Sequence, residues 1–256
     1  MFILVKYSIE ITQDNVRKNY AGYLDLAEFI TIPDNPFGKA GPASVPMAYL
    51  VGKKYNKRTV ATINTRDRNR VGTISEILAA LELDLYGIFV VAGDTLKRGR
   101  EVREIDVYQL ISLIKKYRQE YGSDILIGAT LNPSRENELR IVRKKIESGA
   151  DFFITQSIYD ENIILNNRWI RHLSIPVYGG FMPLLSKRII SFYSKSFSIS
   201  REMVEVFIRS SNLLEDNVAL FKRIIKSTCD TFEGYHIMPM GNENFIERIS
   251  RVIRIC

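Results

Sequence analysis

Residues 125–156 read ILIGATLNPSRENELRIVRKKIESGADFFITQ, and this stretch decides the fold. It opens on an apolar run, Ile125–Ala129. A helical pattern follows over Arg135–Ser148, with Ser134 placed as its N-cap and Gly149 as its stop. A second apolar run, Phe152–Gln156, comes directly after. Strand, helix and strand in this order make a parallel crossover unit.

The same alternation runs along the whole chain. Apolar, β-branched runs recur at Ile3–Ile11, Phe29–Ile32, Val60–Asn64, Ile88–Ala92, Ile125–Ala129, Phe152–Gln156, Val177–Phe181 and His236–Pro239. Nearly continuous apolar strands between helices belong to a parallel sheet buried on both faces. Helix signals fall between them. Ser44 stands before Val45-Pro46 as a predicted N-cap. Thr73 and Glu76 have capping-box spacing. Asp106 opens Val107–Tyr121, which Gly122 closes. Ser186–Lys195, Arg201–Ser210 and Leu213–Thr228 also read as helical, and a last helix is predicted from about Glu243 to Arg254.

Eight strand–helix units in 256 residues match an α/β protein of the (β/α)8 TIM-barrel type, with extra helices between strands seven and eight. The rival, an open doubly wound sheet, usually has fewer strands. There is no Gly-rich linker, low-complexity segment or shift in composition, so residues 1–256 are expected to form one domain.

Composition narrows the function classes. With 46% hydrophobic and 25% charged residues, the chain is outside the disordered, collagen and coiled-coil ranges. No apolar run approaches the roughly 20 residues that cross a bilayer. Met1–Thr12 carries Lys6 and Glu10 and does not read as a signal peptide. No membrane association and a cytoplasmic location are therefore expected. Cys229 and Cys256 are the only cysteines, in no metal-like spacing, so neither a disulfide framework nor a metal site is expected. The net charge of +7 points to an anionic ligand such as nucleic acid or a phosphorylated cofactor. The basic residues are dispersed among acids, however, and no nucleic-acid partner is expected. Few Gln and many Ile, Lys and Arg fit a hot-living source.

A barrel's chemistry lies at the C-terminal ends of its strands. Glu10, between Ile9 and Ile11, points into the mouth by period two. It reads either as a general acid with a raised pKa or as half of a buried ion pair. Asp94, after Gly93, reads as a stabiliser of a developing cation or as a turn aspartate. Gln156 reads as an amide for a heterocycle edge or as a satisfied core amide. The run Arg66-Asp67-Arg68-Asn69-Arg70 reads as a phosphate clamp or as a solvated loop with internal ion pairs. His172 reads as a surface residue and His236 as a core histidine. No P-loop or GxGxxG follows a strand.

Five segments resemble one family: Thr31-Ile-Pro-Asp-Asn-Pro-Phe-Gly-Lys-Ala40, Arg66-Asp-Arg-Asn69, Ala92-Gly-Asp94, Lys145-Ile-Glu-Ser-Gly-Ala-Asp-Phe-Phe-Ile-Thr-Gln156 and Gly180-Phe-Met-Pro-Leu184. Their order and spacing resemble methylenetetrahydrofolate reductase, a flavin-dependent barrel enzyme of one-carbon metabolism whose methyl product feeds methionine biosynthesis. The resemblance implies reduction of 5,10-methylene-tetrahydrofolate, or a related methylene-tetrahydropterin, to the 5-methyl form. It assigns Glu10 as the proton donor that opens the substrate's imidazolidine ring. Asp94 would stabilise the iminium intermediate and contact the pterin, and Gln156 would bind the pterin. It further implies FAD, rather than FMN or no flavin, held by Thr31, Thr62, Asn64, Gly93, Asp106, Asn132 and Lys145. The electron donor is left open among NADH, NADPH, reduced ferredoxin and a deazaflavin. A homo-oligomer is expected. Three positions depart from the family's habit: Ile11-Thr12-Gln13 replaces prolines, Thr62 replaces a histidine, and Ala92 replaces an arginine. Thr62 and Ala92 motivate an alternative, a non-catalytic or partner-dependent barrel subunit of a one-carbon-metabolism complex, working with an electron-delivering protein partner.

Overall fold

A computed structural model describes residues 6–13, 16, 24, 27–194 and 199–250. Eight parallel strands close into a barrel in chain order. They are β1 (Lys6–Glu10), β2 (Ala27–Ile32), β3 (Thr59–Asn64), β4 (Gly87–Val91), β5 (Leu126–Leu131), β6 (Phe152–Thr155), β7 (Val177–Phe181) and β8 (Gly234–Ile237). The first four main helices are α1 (Ser44–Tyr55), α2 (Arg70–Glu82), α3 (Val107–Glu120) and α4 (Glu138–Ser148). A short α5 (Asn162–Leu165), not read from the sequence, and a 3-10 turn (Arg168–His172) join β6 to β7. Between β7 and β8 lie α6 (Lys187–Tyr193), α7 (Arg201–Arg209) and α8 (Leu213–Thr228), the expected extra helices. After β8 comes α9 (Glu243–Ser250). The remainder of the predicted last helix, and the start of the first predicted strand, lie outside the described residues.

The period of two is visible strand by strand. Ile9, Ile30, Ile32, Ala61, Ile63, Ile88, Val90, Ile127, Ala129, Leu131 and Phe153 face outward and join the core that helices such as α1 and α3 cover. Phe29, Val60, Phe89, Phe152, Ile154 and Tyr178 form a separate cluster that plugs the barrel from within. Its rings meet mostly edge to face, with Phe152 centroids 5.7 Å from Phe29 and 6.2 Å from Tyr178. Gly128 of β5 leaves the room these rings need, since a Cβ there would run into Phe152 and Phe89.

Three helix starts differ from the sequence reading. The hydroxyl of Ser44 donates to the Thr62 carbonyl, tying α1 to β3, and Ala43 takes the N-cap place. Asn69, not Thr73, caps α2 by accepting from Gly72 N–H. Thr73 is buried within that helix, and Glu76 faces Arg68 at 3.6 Å. Ser134 opens a turn instead of a helix, and α4 begins at Glu138 after a left-handed Asn137. Side-chain demands from β3 and from the mouth loops override local capping preferences at these sites. Asp106 does cap α3 in a full capping box with Gln109.

Removing a ring from the inner plug leaves a void that the closed sheet cannot fill. Phe152→Ala is expected to cost about 3–5 kcal/mol. A urea titration showing a lowered midpoint at unchanged slope measures it.

Candidate active site

The inner surface of the barrel changes character along its axis. Beyond the aromatic plug, towards the C-terminal ends, the inward positions become Ser8, Thr31, Thr62 and His236, all buried. Ser8 Oγ lies 2.9 Å from His236 Nδ1, and Thr31 Oγ1 lies 3.4 Å from Nε2. Burial lowers the His236 pKa to about 3, so the imidazole is neutral and structural, in line with the core reading. His172 is exposed.

Glu10 is the next inward residue of β1 above Ser8. It is partly buried, and among the described residues neither a hydrogen bond nor an ion pair reaches its carboxylate. Burial, then the nearby negative charge of Asp94, raises its pKa to about 7. The buried-ion-pair reading therefore finds no partner among the described residues.

Asp94 follows β4 and is exposed to the mouth. Its Oδ2 accepts from Phe37 N–H at 2.8 Å. Phe37 is held at φ 60° in the turn Pro36–Gly38, and its ring stands 6.1 Å from Tyr193 of α6. Gly38, at φ 67°, must be glycine, because a Cβ would strike the Thr95 carbonyl. Lys97 N–H then reaches Gly38 O at 3.2 Å, so the loops after β2 and β4 pack as one rim. Tyr193 was not read from the sequence. Burial raises its hydroxyl pKa, and the charges of Asp94 and Glu10 add to the effect, so a neutral phenol stands beside both carboxylates. Its helix lies outside the regular strand–loop units, and no motif marks it.

Gln156 ends the inward series Phe152, Ile154, Gln156 at the rim of β6. Its side chain is exposed and makes no hydrogen bond among the described residues, although its backbone bonds Leu131 O. This removes the satisfied-core-amide reading and leaves the amide free for a ligand.

The positions assigned to a cofactor divide into two groups. Asn64 is saturated: its Nδ2 donates to Asp34 at 2.6 Å and Asp67 at 2.8 Å, and its Oδ1 accepts from the N–H groups of Arg66 and Asp67. Gly93, at φ 84°, packs on Asn64 and Arg66, and Asp106 is occupied as a helix cap. Thr31, Thr62, Asn132 and Lys145 stay closer to what a ligand could use. Lys145 is 4% exposed, donates to Thr130 O at 2.5 Å, and has no carboxylate within ion-pair distance among the described residues. Burial, helped by Arg135 and opposed by Glu138, brings its pKa down to about 8. A buried cation lacking an anion partner fits a phosphate.

Within the Arg66–Arg70 run one ion pair is internal, Arg66 with Asp67, while Arg68 pairs outside it, and the first three residues of the run are drawn out of solvent. Arg66 is wholly buried and Arg68 grips Asp34 with two bonds, at 2.6 and 3.1 Å. A groove of about 480 Å³ lies at the opposite, N-terminal end, lined by Arg58, Asp84, Tyr86 and Asp124 among others. Glu10 and Asp94, in contrast, stand together at the C-terminal mouth, and no ion pair holds either among the described residues.

The sequence profile of methylenetetrahydrofolate reductase matches residues 16–253. The chain belongs to the methylenetetrahydrofolate reductase family. A Caenorhabditis elegans protein described as a probable methylenetetrahydrofolate reductase (NADPH) is 26% identical over 138 residues. The match covers 50% of this chain, which spans only 20% of that relative. Among solved structures, 2,3-dimethylmalate lyase aligns over 96% of this chain and 77% of its own, with a TM-score of 0.56 at 12% identity. A mutant tryptophan synthase α-subunit from the hyperthermophile Pyrococcus furiosus aligns over 99% and 98%, with a TM-score of 0.56 at 13% identity. These two show the barrel fold alone. Among the described residues, no helix is long and apolar enough to cross a membrane.

The raised Glu10 has a thermodynamic signature. Its folded pKa of about 7 exceeds the ordinary value of 4.5. The folded state therefore holds a proton that the unfolded state releases, and stability is lost as pH rises from about 4.5 through about 7. The loss is on the order of 3 kcal/mol. Glu10→Gln should flatten this part of the stability–pH curve, measured by denaturant unfolding at pH 4.5 and 8.

Proposed function

We propose that this chain reduces 5,10-methylene-tetrahydrofolate, or a related methylene-tetrahydropterin, to the 5-methyl form. The observation that carries the reading is the meeting of two unpaired carboxylates at the mouth. Glu10, from β1, has its pKa raised to about 7, and Asp94 follows β4. Family membership supplies the reaction class, and the residues supply the roles.

The protonated Glu10 gives its proton to the bridging nitrogen as the imidazolidine ring opens. Asp94 faces the iminium cation that results. A fixed anion placed where positive charge develops lowers the barrier. Gln156 offers both a donor and an acceptor to the pterin edge. Phe37 and Tyr193 add an aromatic wall beside Asp94, which suits a flat heterocycle. Lys145 would hold a flavin phosphate, with Thr31, Thr62 and Asn132 along the rest of an FAD. When bound, the reduced flavin would supply the hydride to the exocyclic carbon. NAD(P)H is the proposed electron source, and the chain would act as a single cytoplasmic domain in a homo-oligomer.

The saturated amide of Asn64 and the capped Asp106 favour keeping one second reading, a barrel that depends on an electron-delivering partner. A visible spectrum of the purified protein, with mass identification of any released chromophore, comes first. Bound FAD with turnover of a methylene-pterin by NAD(P)H supports the reductase reading. Flavin without turnover until a reduced protein donor is added supports the second.

Two outcomes follow for the carboxylates. Asp94→Asn should slow turnover by roughly 10²–10³-fold. Glu10→Gln should keep the flavin and lose the reduction, and wild-type kcat should fall as pH rises through about 7. Full turnover by Glu10→Gln would remove Glu10 from the mechanism.

A further inference from the structure

Arg66 is the largest wholly buried side chain of the described residues, and neither the fold nor the reaction above accounts for it. Its guanidinium uses every edge. Nε donates to Asp67 Oδ1 at 2.5 Å and Nη2 to Asp67 Oδ2 at 2.7 Å, a bidentate pair. Nη1 donates to the Asp94 carbonyl, and Nη2 reaches the Asn35 carbonyl at 3.4 Å. The Arg66 carbonyl accepts from Val102 N–H at 2.8 Å. One planar group from the end of β3 therefore binds the loops after both neighbouring strands.

The loops it binds are the ones that define Asp94. Asn35 and Phe37 both sit at positive φ, 47° and 60°, a conformation that costs non-glycine residues energy and needs outside support. Asn35 Nδ2 donates to Asp67 Oδ2 at 2.8 Å, so the anion paired with Arg66 also fixes that turn. The strained turn aims Phe37 N–H at the Asp94 carboxylate. Gly93 packs against the Arg66 Cβ on the other side.

We propose that Arg66, locked by Asp67, is the positioning residue for the Asp94 carboxylate: it pins the Asp94 carbonyl from below while the turn it supports holds the carboxylate from the side. The inference rests on the role given to Asp94 in the reductase reading. Wholly buried, Arg66 would act through Asp94 and not on the substrate itself. A lysine at 66 keeps the charge but loses the fork, and its three N–H groups radiate from one nitrogen that cannot reach partners set along three separate nitrogens.

The test is a double-mutant cycle on steady-state methylene-pterin reduction, using Arg66→Lys, Asp94→Asn and the pair. Arg66→Lys alone should lower kcat roughly 10–100-fold, the scale of a misplaced catalytic group, with KM little changed. In the Asp94→Asn background the same substitution should cost almost nothing more. Full additivity, or an Arg66→Lys enzyme with wild-type kcat, would overturn the proposal. If Asp94→Asn alone leaves kcat intact, the role of Asp94 fails, and the inference falls with it. Should Arg66→Lys not fold, Asp67→Asn keeps the shape and removes the paired charge. It runs the same cycle, in which non-additivity supports the proposal and additivity overturns it.

Discussion

A closed parallel barrel buries both faces of every strand, and this constraint orders everything else in the molecule. Outward positions must satisfy helices, so they are aliphatic. Inward positions must fill a narrow interior, and here they do so with Phe29, Phe89, Phe152 and Tyr178 at one end. An ionisable group placed among those rings would be stranded without solvent. Polar inward residues lie beyond the rings, where Ser8, Thr31, Thr62 and Glu10 occupy the upper part of the strands. The switch from ring to hydroxyl to carboxylate, Ser8 then Glu10 on β1, follows from that geometry.

Electrostatics then separates the acids at the mouth into two kinds. Asp34 and Asp67 lie within reach of Arg68 and Arg66 and are consumed by them. Burial pushes Asp67 up, but hydrogen bonds from Arg66, Asn35 and Asn64 outweigh it and hold its pKa at about 2. Among the described residues Glu10 receives no such donor, and its pKa goes the other way. Asp67 and Glu10 are thus driven apart by their surroundings, one held as an anion in an ion pair and the other left to keep its proton.

The sequence was most legible where one rule dominates. Val177–Phe181 is read to the residue, because an apolar run with two glycines has few other uses in a barrel. The inward turn of Glu10 follows from period two alone. Legibility falls where side chains from distant strands compete. Ser44 looks like a cap, yet the Thr62 carbonyl, eighteen positions on, claims its hydroxyl. Asn64 looks free, yet Asp34 and Asp67 use its whole amide. Tyr193 enters the site from a helix whose position depends on how α6, α7 and α8 pack, which no local pattern encodes. The alternating charges of residues 66–70 showed that ion pairs would form but not that they would be buried.

Ala92 ties these strands of argument together. The family often carries an arginine immediately before its Gly-Asp, and here that position is a methyl group. The turn after β4 is not left without a cation, because the Arg66 guanidinium arrives at the Asp94 carbonyl from β3. Parallel strands lie about 4.8 Å apart, so an arginine at the end of one can serve the loop of its neighbour. Such a cation is worth most where water is excluded, and Arg66 is 0% exposed. Its burial is tolerable only because Asp67 is fixed beside it and both carbonyl contacts are met, since an unpaired guanidinium at that depth would destabilise the fold. The mouth is thus built on a paired charge, and the precision of Asp94 depends on that pair staying intact.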